Sequence, residues 1–69
     1  MANHVAKVTE VVGTSDVSIA DAVKGAVKRA GKTLRNMQWV EVTQIRAQIK
    51  HDEVEHFQVM MKIGFSLED

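Results

Sequence analysis

Apolar and polar positions follow two periods along the chain, and the change from one to the other marks the elements. His4 to Val12 holds four valines and a threonine with charges at Lys7 and Glu10, which predicts a first strand. Ala6, Val8 and Val12 share one face of it and Val5, Lys7, Thr9 and Val11 the other. Both faces are partly apolar, either as the noise of a short strand or because another subunit covers the second face. Gly13-Thr14-Ser15-Asp16 reads as a turn, and Ser18 with Asp21 three residues on resembles a capping box. A glycine and hydroxyls before a helix could cradle a phosphate, but the P-loop spacing and its lysine are missing, so a plain turn and cap is the simpler reading.

From Ser18 to Arg35 the period becomes helical. Ile19, Ala22, Val23, Ala26, Val27, Ala30 and Leu34 make one narrow, alanine-rich stripe that a sheet can approach closely. Gly25 and Gly31 cost about 1 kcal/mol each against alanine in a helix, which close backbone packing could offset. Lys24, Lys28, Arg29, Lys32 and Arg35 make the other face and the C-terminal end basic. That suits the helix dipole and reads as a solvated face, with an anion site as the alternative.

Met37 to Lys50 is a long second strand whose phase shifts midway. Val40 and Val42 are even-numbered, Ile45, Ala47 and Ile49 odd-numbered. Strict alternation cannot put both sets on one face; a bulge near Thr43-Gln44 reconciles them and bends the strand, as if around a helix. After the polar break His51-Asp52-Glu53, Val54 to Leu67 alternates cleanly. Phe57, Val59, Met61, Ile63, Phe65 and Leu67 line one face; His56, Gln58, Met60, Lys62, Gly64 and Ser66 line the other. The short break predicts an antiparallel hairpin. A helical crossover makes the first two strands parallel in direction, so the third fits between them, antiparallel to both. The prediction is a β-α-β-β unit of α+β class, a three-stranded sheet of order 1-3-2 wrapping one helix.

Length and composition narrow the function. The 69 residues make one domain, 1–69, and a domain of this size buries only about 60% of its unfolded surface. With no cysteine, disulfides and thiolate metal sites are excluded, which leaves oligomerisation as the expected support. Nine basic and nine acidic side chains give a formal charge of zero, unlike a nucleic-acid binder. No apolar run approaches a membrane span, and the polar start Met1-Ala2-Asn3-His4 lacks a signal-peptide pattern, so the expected location is the cytoplasm. His4, His51 and His56 lack metal-ligand spacings, and no nucleophile–base grouping assembles. Asp52, Glu53 and Glu55 read as a solvated hairpin tip rather than an acid–base pair.

Trp39 stands at the join between helix and second strand and is the only tryptophan. With Val40 and Val42 toward the helix, Trp39 and Glu41 face away, and Gln58 shares that face. A large apolar ring with one N–H donor is poorly spent on water, so either a neighbouring subunit or a flat ligand should cover it. Glutamine can offer a donor and an acceptor to a planar heterocycle.

Four blocks, Val11-Val12-Gly13-Thr14-Ser15, Lys32-Thr33-Leu34-Arg35-Asn36-Met37-Gln38-Trp39-Val40-Glu41-Val42, His56-Phe57-Gln58-Val59 and Lys62-Ile63-Gly64-Phe65-Ser66-Leu67-Glu68-Asp69, resemble the dodecins, small flavin-binding proteins. The resemblance covers almost the whole chain in register. It implies a hollow homododecamer of 23 symmetry, with flavin pairs at two-fold axes between tryptophans of two subunits. Trp39 matches the stacking tryptophan, Gln58 the glutamine bonded to the isoalloxazine edge, and Arg46 an arginine near the flavin tail. Arg29, Lys32 and Thr33 match residues near which some bacterial members hold coenzyme A. The implied role is non-catalytic: flavin storage, buffering and photoprotection, with FMN foremost and riboflavin or a related flavin as alternatives. The competing reading is an interaction module in which Trp39 is only a subunit contact. Two positions depart from the family pattern. Val40 stands where many bacterial members have an aromatic residue, and Ser66 where many have an arginine. The second departure removes a charge-assisted partner for a flavin phosphate and makes riboflavin more competitive.

Overall fold

A computed structural model of the chain describes residues 4–67; Glu68 and Asp69 of the last block lie outside the described residues, as do Met1, Ala2 and Asn3. The elements run β1 (Val5–Ser15), α1 (Ile19–Ala30), β2 (Met37–Lys50) and β3 (Glu53–Leu67). The sheet has the order β1-β3-β2, with both pairings antiparallel. This is the β-α-β-β unit that the two periods predict. The second strand matches its predicted bounds.

β1 runs three residues further than its valines suggest, because the Gly13-Thr14-Ser15 segment pairs with Val59, Gln58 and Phe57 instead of turning. A small residue is required there. A methyl group at Gly13 would overlap the carbonyl oxygen of Ala22 and come within 3.1 Å of the Ala26 Cβ, so α1 crosses β1 with its backbone against the glycine. The chain then turns at Ser15, which is buried. Its hydroxyl donates to Asp21 Oδ2 at 2.7 Å and accepts from the amides of Val17 and Ser18 at 2.9 and 3.3 Å. Ser18 caps the helix, its Oγ accepting from the Asp21 amide at 2.9 Å. Half of the capping box is thus present. The Asp21 carboxylate reaches Ser15 rather than the Ser18 amide, since aspartate is shorter than the glutamate a full box prefers.

The helix is shorter than the Ser18–Arg35 stripe. After Gly31 the amides of Lys32 and Thr33 donate to the carbonyls of Arg29 and Ala30 at 3.2 and 3.1 Å, i→i−3 bonds that tighten the last turn. Asn36 then takes a left-handed φ of 61°, a conformation asparagine tolerates better than most residues, and the chain enters β2.

The core lies where α1 meets β1 and β3. Ala22, Val59 and Met61 form its centre, Ile63 is buried beside them, and Val11, Val23 and Ala26 pack against it. The three buried apolar side chains of β3, Val59, Met61 and Ile63, are odd-numbered, as the alternation predicts, and Gly64 is buried on the other face; Phe57 and Phe65 are half-buried and Leu67 is exposed. The register shift between Val42 and Gln44 is the bulge that puts Val40, Val42, Ile45 and Ala47 on one face. Thr43, the extra residue, donates its hydroxyl to the Met60 carbonyl at 3.1 Å.

The protomer is 56 × 20 × 13 Å. Twelve residues of α1 span about 18 Å, while the 15 of β3 span about 50 Å. The hairpin therefore runs past the helix, leaving Ile45, Ile49 and Val54 exposed at 51, 67 and 53%. Val5, Val8 and Val12 on β1 are also exposed, so both of its faces keep apolar surface. Among the described residues four apolar side chains are buried while this much apolar area stays open, as expected of a subunit.

The hairpin turns on two residues, His51 and Asp52, both with positive φ (53° and 63°), and Glu53 already pairs with Lys50. Two left-handed residues make a type I′ turn, which favours Gly second. Asp52→Gly is expected to stabilise the protein by about 0.5 kcal/mol and raise the thermal midpoint by a few degrees, read by calorimetry at fixed protein concentration. A fall would mean that the Asp52 side chain has a role beyond the turn.

Candidate functional site

The face of the sheet away from α1 can be read row by row from the register. Trp39 stands opposite Gly64, which pairs on its other side with Val8. Next comes a row of Glu41, Lys62 and Glu10, then one of Gln44, Met60 and Val12, then one of Arg46, Gln58 and Thr14. The face thus carries all three residues the resemblance implies for a flavin, at its two ends.

Trp39 is held by what lies under it. The Leu34–Asn36 segment leads into β2, and the Ser66 amide donates to the Asn36 carbonyl at 3.0 Å, tying this entry to β3. A register shift between Met37 and Trp39 leaves Gln38 as the extra residue, so Met37 turns inward and Trp39 outward. The six-membered ring of the indole fills the space that a side chain at Gly64 would occupy. Gly64 is therefore the seat of the tryptophan, and 47% of Trp39 remains exposed. Sequence reasoning missed this pairing. The signal was there: a glycine inside the most regular strand marks a close approach. Gly64→Ala is expected to unseat the ring and weaken a ligand stacked on it by roughly tenfold or more, with the fold intact because the ring can swing outward. Unchanged affinity in a fluorescence titration would contradict the seat.

Two hollows flank the indole. One of about 340 Å³ is lined by His4, Val5, Ala6, Gln38, Trp39 and Ser66. The other, of about 270 Å³, is lined by Val27, Met37, Gln38, Trp39, Val40 and Ile63. The two positions that depart from the family pattern, Val40 and Ser66, thus both border Trp39, one in each hollow.

Gln58 precedes Gly64, the residue under Trp39, by six positions on β3, about 20 Å at the strand rise. It is half-buried and bonded to Arg46, whose Nε–H donates to Gln58 Oε1 at 2.8 Å. The structure brings Arg46 and Gln58 together and holds Trp39 of the same chain away from both.

A larger hollow lies elsewhere, between β1 and α1. It is about 620 Å³, and Arg29 and Thr33 line it while Lys32 does not. Lys32 lies in the turn after the helix, exposed. The acidic and imidazole side chains of the hairpin behave as a solvated end. Glu55 lies 3.4 Å from His56 Nδ1 and 3.7 Å from Lys50 Nζ, with much of its side chain in solvent, where such pairs contribute little. Among the described residues no three or more metal-ligating side chains converge, and no helix is long and apolar enough to cross a membrane.

With the geometry in hand, comparison with known proteins is informative. A family model described as Dodecin matches residues 5–68. The chain is 43% identical over 63 residues to Dodecin of Thermus thermophilus, covering 91% of each chain. The solved dodecin of Streptomyces coelicolor superposes with a TM-score of 0.93 at 54% identity, over 100% of this chain and 99% of that one. The dodecin of Streptomyces davaonensis gives 0.93 at 40% identity, over 99 and 100%.

Proposed function

The chain belongs to the dodecin family, and from that premise we propose that it is a flavin-binding protein that stores and buffers flavin without transforming it. The observation that carries the reading is Trp39, seated over Gly64 and otherwise open on the face away from the helix. An indole so placed is a platform for a flat heterocycle.

The site is shared between chains. Trp39 and Gln58 of one protomer are about 20 Å apart along the strand, too far to hold one three-ring system between them. A flavin that stacks on Trp39 and hydrogen-bonds Gln58 takes the two from different copies. The exposed apolar surface of β1 and of the hairpin's far end supports such an assembly; a homododecamer is what the family resemblance implies, and the cytoplasm is its proposed location. The absent arginine at Ser66 leaves the hollow beside Trp39 without a guanidinium for a phosphate, so riboflavin competes with FMN. Contact with the electron-rich indole gives the excited flavin a fast path to the ground state, the physical basis of photoprotection. A coenzyme A site would draw on Arg29 and Thr33 in the β1–α1 hollow, with Lys32 outside its lining, and the flavin reading stands without it.

The test is purification of the native assembly, followed by native mass and mass spectrometry of the released ligand. A yellow multimer of twelve chains with quenched flavin fluorescence is expected. A colourless assembly that takes up neither riboflavin nor FMN would overturn the reading.

A further inference from the structure

We infer that Arg46 is a positioning residue: by donating its Nε–H to Gln58 Oε1 it fixes the carboxamide so that the amino group is the end presented to the ligand. The inference rests on the flavin reading for the ligand, but its geometry stands on the side chains alone. A guanidinium has donors and no acceptor. The Gln58 atom 2.8 Å from Arg46 Nε must therefore be the oxygen, and the usual ambiguity between the two ends of a glutamine is removed by chemistry.

The placement of both residues makes this contact a designed feature of the sheet. Arg46 and Gln58 are direct cross-strand partners on the face away from α1, and Thr14 is the partner of Gln58 on its other side. The carboxamide is thus held from the β2 side. Among the described residues Gln58 Nε2 has no hydrogen-bond partner, leaving two donors for a ligand carbonyl. The oxygen keeps one lone pair for a ligand N–H. A planar ring edge with an imide pattern, carbonyl beside N–H, meets that arrangement. Without Arg46 the carboxamide is free to turn, and half of its orientations place oxygen against ligand oxygen. Arg46 thereby acts on the ring through Gln58, rather than on a phosphate through its own charge.

The two roles separate in one experiment. Riboflavin and FMN, which differ by the phosphate, are titrated into wild type, Arg46→Met, Gln58→Ala and the double variant, with native mass confirming assembly. Arg46→Met is expected to weaken both flavins by a similar factor, about fivefold, and to add nothing in the Gln58→Ala background. A loss confined to FMN, or one that persists fully without Gln58, would overturn the inference in favour of a direct phosphate contact. If Arg46→Met does not assemble, Arg46→Ala replaces it: alanine has no donor for Gln58 Oε1, so weakening of riboflavin supports positioning, and unchanged affinity for riboflavin overturns it. If wild type binds no flavin, the function proposed above falls. Crystal structures of wild type and variant then decide the positioning alone, which requires one Gln58 conformer with Arg46 and a displaced one without it.

Discussion

Trp39→Ala is expected to weaken flavin binding by about two to three orders of magnitude while the assembly keeps its mass. One ring face removes roughly 100 Å² of apolar surface from water, about 2.5 kcal/mol. Aromatic stacking adds about 0.5–1.5 kcal/mol. Together these make some 3–4 kcal/mol, or a factor of about 10²–10³ in affinity. Trp39→Phe keeps part of the platform and is expected to fall between the two. The readout is flavin fluorescence, quenched on binding, alongside native mass. The opposite pattern, a broken assembly and no ligand to lose, belongs to the interaction-module reading in which Trp39 only joins subunits. Because Trp39 is half open over a glycine and takes no part in the buried core, the fold itself has little to lose.

The second large effect concerns stability. Gly13→Ala is expected to destabilise the protein by about 2–3 kcal/mol, the upper range of overpacking. The added methyl meets the Ala22 carbonyl oxygen, with the carbonyl carbon at 3.0 Å. Those are backbone atoms of α1, which cannot rotate away, so the helix must lift from the sheet. A domain of this size has roughly 3–10 kcal/mol in total, and α1 supplies one side of the core. Gly25→Ala is the control. A methyl there has nothing within 4 Å, and alanine is better than glycine in a helix by about 1 kcal/mol, so the same substitution should stabilise. Urea midpoints at one protein concentration, held fixed because assembly contributes, should move in opposite directions. Two shifts of the same sign would contradict the packing described.

The fold was legible because each strand that meets the helix turns its buried side chains to it with a single parity. Val59, Met61 and Ile63 announce the core face of β3 by alternation alone, and the change of parity between Val42 and Ile45 announces the bulge. What alternation could not show is where a strand continues through turn-like residues. Gly13-Thr14-Ser15 has the composition of a turn, yet it is strand, because the glycine is needed for helix contact and Ser15 is satisfied by Asp21 and two amides. The helix end was misplaced for a related reason: Leu34 continues the apolar stripe after the backbone has tightened at Gly31.

The site was legible in part. Face assignment put Trp39 and Gln58 together on the side away from the helix, and the register agrees. It could not show that they lie at opposite ends of that face, since parity carries no distance. Nor could it show the seat at Gly64 or the bond from Arg46, which depend on cross-strand register across two bulges. Those facts turn a list of residues on one face into the two-chain site proposed above.

Trp39 is the only tryptophan in the chain, so its emission reports on the site and nothing else. The most direct test follows that emission and the flavin's own during a riboflavin titration of the native assembly. Both signals are expected to fall together and saturate at about one flavin per chain, the stoichiometry of a tryptophan platform in each protomer. Flavin uptake that leaves the Trp39 emission unchanged, or no uptake at all, would contradict a site built on that ring.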